Sequence, residues 1–222
     1  MLHLGTIRGT SLDVDLSFLI LCVFFVATYY DPQRGIQYAL LWVPVLFISI
    51  LVHELAHAAM IGALGYGSSH VVLGGMGGVT INERRARPFH DMLISLAGPV
   101  SSFLLAYLFH LARTRVGFVE QDLMLRALVP MLQMANIVWG VFNLVPVAPL
   151  DGGKAFRSFL STFLKDRTSF VISVWTGMLV GTGIVLYGLM ARSFFLALLV
   201  GWFVYQNFVA WQYYREHGVS GD

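Results

Sequence analysis

The sequence predicts an all-α polytopic membrane protein of about six transmembrane helices, with a small β-hairpin between the second and third. Three observations carry that expectation. Of the 222 residues, 57% are apolar and only 12% are charged, whereas soluble domains carry about a quarter charged residues. The mean hydropathy is +0.73, so the chain cannot cover its surface with polar groups. The apolar residues gather into runs near the length of about 20 residues that a membrane helix needs, and one glycine-rich stretch interrupts them.

The first run, about Leu16 to Tyr30, is short. It stops at Asp31-Pro32, because the residue before a proline is steered away from helical backbone. No small-residue cleavage site follows it, so it reads as a first span rather than a cleavable signal peptide. Cys22, the one cysteine of the chain, excludes an intrachain disulfide and a thiolate metal site. It reads as a small hydrophobe. The second run extends from about Tyr38 to Leu64. Next comes Gly65 to Pro88, with Gly74, Gly75, Gly77 and Gly78 around Met76 and β-branched residues on either side. That pattern reads as a hairpin or extended loop. The third and fourth runs are about Met92 to Leu111 and Leu123 to Val145.

Val145 to Gly153 then holds two prolines and two glycines, so the helix must unwind. Irregular backbone at membrane depth is tolerated only where it is buried in protein or lines a wet cavity, which already suggests a site. The fifth and sixth runs, about Phe170 to Met190 and Ser193 to Trp211, are separated by Ala191 and Arg192. Together they are about twice the length needed to cross once, which favours a helical hairpin over one broken helix. No internal repeat is present, and no soluble domain is expected before the first span or after the last. The whole of residues 1–222 reads as one integral-membrane domain, with a core at about 4–164 and C-terminal spans at 165–222.

A net charge of +2, without a basic stripe, is too small to suggest a nucleic-acid partner, and none is expected. With six spans and an inner N-terminus, nine Lys and Arg residues fall inside (Arg8, Arg84, Arg85, Arg87, Lys154, Arg157, Lys165, Arg167, Arg215) and five outside (Arg34, Arg113, Arg115, Arg126, Arg192). The excess puts both termini in the cytoplasm. Arg84, Arg85 and Arg87 suit anionic headgroups. Trp202, Tyr205, Trp211, Tyr213 and Tyr214 suit an interfacial aromatic belt.

The chemistry concentrates in His53-Glu54-Leu55-Ala56-His57. On a helix, residues four apart share a face, so both imidazoles can meet one ion. A zinc site for hydrolysis keeps one position open for water, and Glu54 can sit beside it as general base. Three polar residues in five positions of an apolar span are too costly to be filler. The alternative use of the same residues is a metal-ion transporter or proton relay, but the first, fifth and sixth runs offer almost no ionisable group for a path across the membrane. The candidate third ligand is Asp151, in Asn143-Leu-Val-Pro-Val-Ala-Pro-Leu-Asp151-Gly-Gly. Taken alone, Asp151 would read as the cap of a following helix near Lys154 to Leu164; taken with the histidine pair, it reads as a ligand. Topology agrees. His53 lies roughly 14 Å from the inner end of its span at 1.5 Å per residue, and Asn143 to Asp151 falls at the inner end of another.

These two motifs, with Ser95-Leu96-Ala97-Gly98-Pro99 between them, resemble the site-2 proteases, intramembrane zinc metalloproteases of the M50 class, in their compact six-span form. The opening Leu4-Gly5-Thr6-Ile7-Arg8-Gly9 is similar to that subgroup as well. The resemblance implies one zinc ion held by His53, His57 and Asp151, with Glu54 as general base. It implies Asn143 as a donor to the substrate backbone or oxyanion. It also implies a hairpin at Gly74 to Thr80, including Gly75, Met76 and Gly77, that receives an extended substrate. The expected partners are the bilayer and a single-span membrane protein, and the compact size fits a prokaryotic plasma membrane. The chain has no room for the PDZ or CBS domains of many relatives. His3, His70, His90, His110 and His217 read as interfacial or solvated; His70, whose loop follows the span carrying the histidine pair, is the one weighed for a transient contact with the site. Asn136 and Gln133 read as interhelical hydrogen-bonders.

Overall fold

The computed structural model describes residues 1–7, 9–116 and 121–217; Arg8 lies outside them. Among the described residues, four strands and eight helices follow in the order β1 (Leu2–Ile7), β2 (Thr10–Val14), α1 (Ser17–Thr28), α2 (Ile36–Leu40), α3 (Trp42–Ala63), β3 (Ser69–Gly74), β4 (Gly77–Asn82), α4 (Pro88–Arg115), α5 (Leu123–Asn143), α6 (Asp151–Phe163), α7 (Asp166–Met190) and α8 (Phe194–His217). Among the described residues, five helical segments are long and apolar enough to cross a membrane: Ile36–Ala63, Pro88–Arg115, Leu123–Asn143, Asp166–Met190 and Phe194–His217. The protein is an integral membrane protein. With 12 residues, α1 reaches about 18 Å, short of the roughly 30 Å core.

The run expected as one helix from about Tyr38 to Leu64 is the helical segment Ile36–Ala63, in which Leu41, between α2 and α3, keeps helical backbone at φ −61° and ψ −21°. Pro44 removes one hydrogen bond at this junction: it has no N–H for the Leu40 carbonyl, and its ring would crowd that group. Pro44 is tolerated in the first turn of α3, where N–H groups lack helical partners anyway.

The described residues form two compact units. The first comprises Met1–Arg85 and Ala97–Val141, the second Ala86–Leu96 and Phe142–Asp222. In the first unit a four-stranded sheet has the order β1-β2-β3-β4. The pairs β1–β2 and β3–β4 are antiparallel, while β2 and β3 run parallel from Thr10↔Ser69 to Val14↔Leu73. Gly65 to Pro88 therefore does hold two strands, but they belong to a larger sheet. The first hairpin was not singled out from the sequence: Leu2-His3-Leu4 and Leu12-Asp13-Val14 alternate, but each run is only three residues long, too short a signal for a strand, and β1 is exposed almost throughout.

The other face of the sheet is buried. Leu12, Val71 and Leu73 pack with Phe18, Leu21 and Cys22 of α1 and with Leu46, Ile50 and Ala58 of α3. Cys22 is thus a core residue, as expected. Tyr29 stacks on Trp42 with ring centroids 4.4 Å apart, joining the end of α1 to the start of α3.

In the second unit α7 and α8 form the expected hairpin. The turn is a Schellman closure: Arg192 has φ 57°, Arg192 N–H donates to Leu189 O at 3.2 Å, and Ser193 N–H donates to Gly188 O at 2.8 Å. Gly188 lets the returning helix approach, for a Cβ there would sit 3.2–3.4 Å from Ala197. Val147, Leu150 and Phe203 form the buried cluster of this unit, with Phe142, Val145, Val180 and Leu199 against it.

Candidate active site

Helix α3 carries His53, Glu54 and His57, all buried. The imidazole centroids of His53 and His57 are 4.9 Å apart, with an interplanar angle of 78°. Their Nε2 atoms converge on one spot, because a Cβ built on Gly98 of α4 would meet both. Gly98 is a glycine for want of space. Beside it, Pro99 removes the helical donor to the Ser95 carbonyl. Ser102, one turn beyond Gly98, stands 3.0 Å from His53 Nδ1. With Nδ1–H donating to the hydroxyl oxygen, the Nε2 lone pair is left for a metal. Trp139 of α5 lies edge-on to His53, 6.4 Å between ring centres.

Glu54 meets the sheet. The Thr80 hydroxyl of β4 lies 2.7 Å from Glu54 Oε2 and 3.1 Å from the Glu54 backbone oxygen. A Cβ on Gly78 would collide with the Glu54 side chain. The β3–β4 turn is fixed from α1, where Ser17 Oγ accepts from Gly75 N–H at 2.9 Å. Trp139 occupies the space a Cβ on Gly77 would need, and Met76 is exposed. Asn136 behaves as an interhelical donor, its Nδ2 2.9 Å from Ser49 Oγ.

Asn143 ends α5 and is buried. The chain then folds back on itself before Asp151 opens α6. A Cβ on Gly152 would meet the carbonyls of Leu144 and Val145, and one on Gly153 would meet the Val147–Ala148 peptide. The two glycines after Asp151 therefore let the loop pack on the first turn of the helix. Leu150, in extended backbone, holds the N-cap position, with no side-chain cap hydrogen bond. Asp151 is not the cap. From α8, Asn207 Nδ2 donates to the Ala148 carbonyl at 2.7 Å, so the last helix holds this loop. The half-exposed Lys154 Nζ is 3.8 Å from Asp151 Oδ1, a weak pair.

His53, His57 and Asp151 form a group that could hold a metal ion. All three are buried, and one ligand atom from each lies within 4.8 Å of the others.

A peptidase M50B-like family model matches residues 17–150. The chain belongs to the M50 peptidase family. A peptidase family M50 model also matches residues 119–187. The M50 chain is 26% identical over 204 residues to a zinc metalloprotease of Methanocaldococcus jannaschii, covering 92% of this chain and 58% of that protein. It is 33% identical over 168 residues to the Rip3 protein of Mycobacterium tuberculosis, covering 71% and 43% respectively. It thus spans 43–58% of the length of these two relatives. Among solved structures, the site-2 protease from Methanocaldococcus jannaschii matches with a TM-score of 0.62 and 25% identity, over 93% of this chain and 92% of that one.

Zinc is the metal that this family and this donor set indicate. Two imidazoles and a carboxylate suit it, and three protein ligands are the usual number where a position stays open. Gly98 leaves room beside both Nε2 atoms.

Several contributing residues were not singled out from the sequence: Thr80 and Gly78 for Glu54, Ser102 for His53, and Asn207 for the Ala148 loop. For Ser102 and Asn207 the available signal was polarity out of place, a hydroxyl or an amide in an apolar helix; Thr80 and Gly78, on a strand, gave no such signal. His70, weighed for a contact with the site, instead lies 2.5 Å from Asp13 Oδ2. His3 holds the other oxygen of Asp13 at 2.7 Å.

Proposed function

We propose that this M50 protein is an intramembrane metalloprotease that hydrolyses a peptide bond of membrane-spanning protein substrates. The observation that supports this most is the buried group His53, His57 and Asp151 with Glu54 on the same helix. In this reading those three residues ligate one zinc ion. A bound zinc supplies Lewis acidity towards a water molecule and the scissile carbonyl. Glu54 accepts the proton of the attacking water and passes it to the departing amide nitrogen. The Asn143 amide donates to the substrate backbone or to the developing oxyanion.

Substrate enters as an extended strand. In the sheet order β1-β2-β3-β4, β4 is an outer strand, which supports strand addition at its edge near Gly75, Met76 and Gly77. A helical substrate must unwind there, which exposes the peptide bond.

We read the chain as six membrane segments in one domain, residues 1–222, with α1 as the short first segment. Leu19, Ile20 and Val23 of α1 are exposed and suit lipid. The Lys and Arg distribution favours cytoplasmic termini, in a prokaryotic plasma membrane.

The test is Glu54→Gln. The variant should retain zinc and lose proteolysis. Comparing membrane proteomes of cells carrying wild-type or Glu54→Gln protein should reveal single-span proteins that accumulate only with the variant. Identical proteomes, or cleavage undiminished in the variant, would sink the reading.

A further inference from the structure

Glu54 is held by a strand, not by its own helix. A glutamate side chain has three rotatable bonds, so holding its carboxylate in one place costs rotamer entropy that a partner must offset. Its carboxylate accepts a hydrogen bond from Thr80 at 2.7 Å, and the backbone of Gly78 closes against its Cγ, Cδ and Oε1. Gly78 and Thr80 are two apart on β4 and so share one face. Val79 and Ile81, on the opposite face, are exposed. Any side chain at Gly78 would occupy the volume of the carboxylate. One strand thus supplies both the donor and the space, in a site where Glu54 is buried.

We propose that Thr80 is a positioning residue that fixes the Glu54 carboxylate from β4, with Gly78 as its steric counterpart. The proposal rests on Glu54 being the general base. Its consequence is mechanical. The outer strand of the sheet, which in the reading above pairs with substrate, is also the strand that holds the base. A peptide paired with β4 and the carboxylate bound by Thr80 are therefore referenced to one backbone. The reacting groups are aligned when the strand is formed, the condition under which proximity lowers a barrier.

The experiment compares Thr80→Val, Thr80→Ser, Gly78→Ala and Glu54→Gln in purified zinc-loaded protein labelled with 13Cδ-glutamate. The chain has four glutamates, Glu54, Glu83, Glu120 and Glu216, so the signal lost in Glu54→Gln identifies Glu54. That signal should shift in Thr80→Val and Gly78→Ala and return in Thr80→Ser, with zinc content unchanged throughout. Against a fluorescently tagged single-span reporter peptide in detergent, Thr80→Val should lower kcat about tenfold, a fraction of what a general base contributes, with KM unchanged and Thr80→Ser restoring the rate. An unmoved Glu54 signal and full kcat in Thr80→Val, alongside an inactive Glu54→Gln, would overturn the proposal. An active Glu54→Gln would remove the general-base reading instead, while the Glu54 signal would still report the contact with Thr80.

Discussion

Replacing Ser102 with alanine removes one buried oxygen, 3.0 Å from His53 Nδ1, and leaves the metal-facing side untouched. Both partners are buried, so water does not readily replace the lost acceptor. Losing a hydrogen bond at a buried polar group costs about 1–3 kcal/mol. At 1.36 kcal/mol per decade, that corresponds to roughly 5- to 150-fold in zinc affinity, in line with the 10–100-fold usual for such supporting contacts. The penalty has two sources: the ring loses its fixed tautomer, with Nε2 available as ligand, and it gains freedom to rotate. Competition against a chromophoric chelator in detergent measures the affinity. Ser102→Thr, which keeps the hydroxyl, should retain more of it than Ser102→Ala. An affinity within twofold of wild type in Ser102→Ala would refute the claim that this hydrogen bond orients His53.

Three further substitutions follow from the same geometry. Gly98→Ala puts a methyl against both Nε2 atoms and should abolish zinc binding in metal analysis, although alanine favours a helix by about 1 kcal/mol over glycine and the fold should persist by circular dichroism. Asn207→Leu removes the donor to the Ala148 carbonyl and should lower stability by about 1–3 kcal/mol, read from thermal melts, and weaken zinc binding through the Asp151 loop; an unchanged melt would count against that anchor. The Asp13 carboxyl is held below its usual range by hydrogen bonds from His3 and, next, His70. Its contribution to the sheet is therefore present above the unfolded value near pH 4 and is lost as pH falls through the lowered folded value, so Asp13→Asn should flatten the acid limb of a stability–pH curve below pH 4.

Much of this molecule was readable before its structure because the decisive signals are local. Apolar run lengths mark the helices, and the four-residue spacing of His53 and His57 survives any packing. The proline and glycine content around Asp151 announces an unwound segment whatever it packs on. What escaped is non-local or hidden by similarity. The β2–β3 pairing joins Thr10 to Ser69 across three intervening helices, and nothing in either strand names its partner. The missing hydrogen bond at the Leu40 carbonyl follows from Pro44, whose effect falls four residues upstream inside a continuous apolar run. Thr80 and Gly78 looked like ordinary hairpin residues, and their role appears only when β4 is set against α3. Gly98 was visible within a motif, yet its purpose, room beside two imidazoles, is a fact of packing.

The account stands most directly on the composition of one metal site. X-ray absorption at the zinc edge of the purified protein should report one ion per chain with two imidazole nitrogens, further oxygen ligands and no sulfur, and the oxygen contribution should change in Asp151→Ala. A preparation that cleaves substrate without zinc, or a zinc spectrum indifferent to Asp151→Ala, would contradict it.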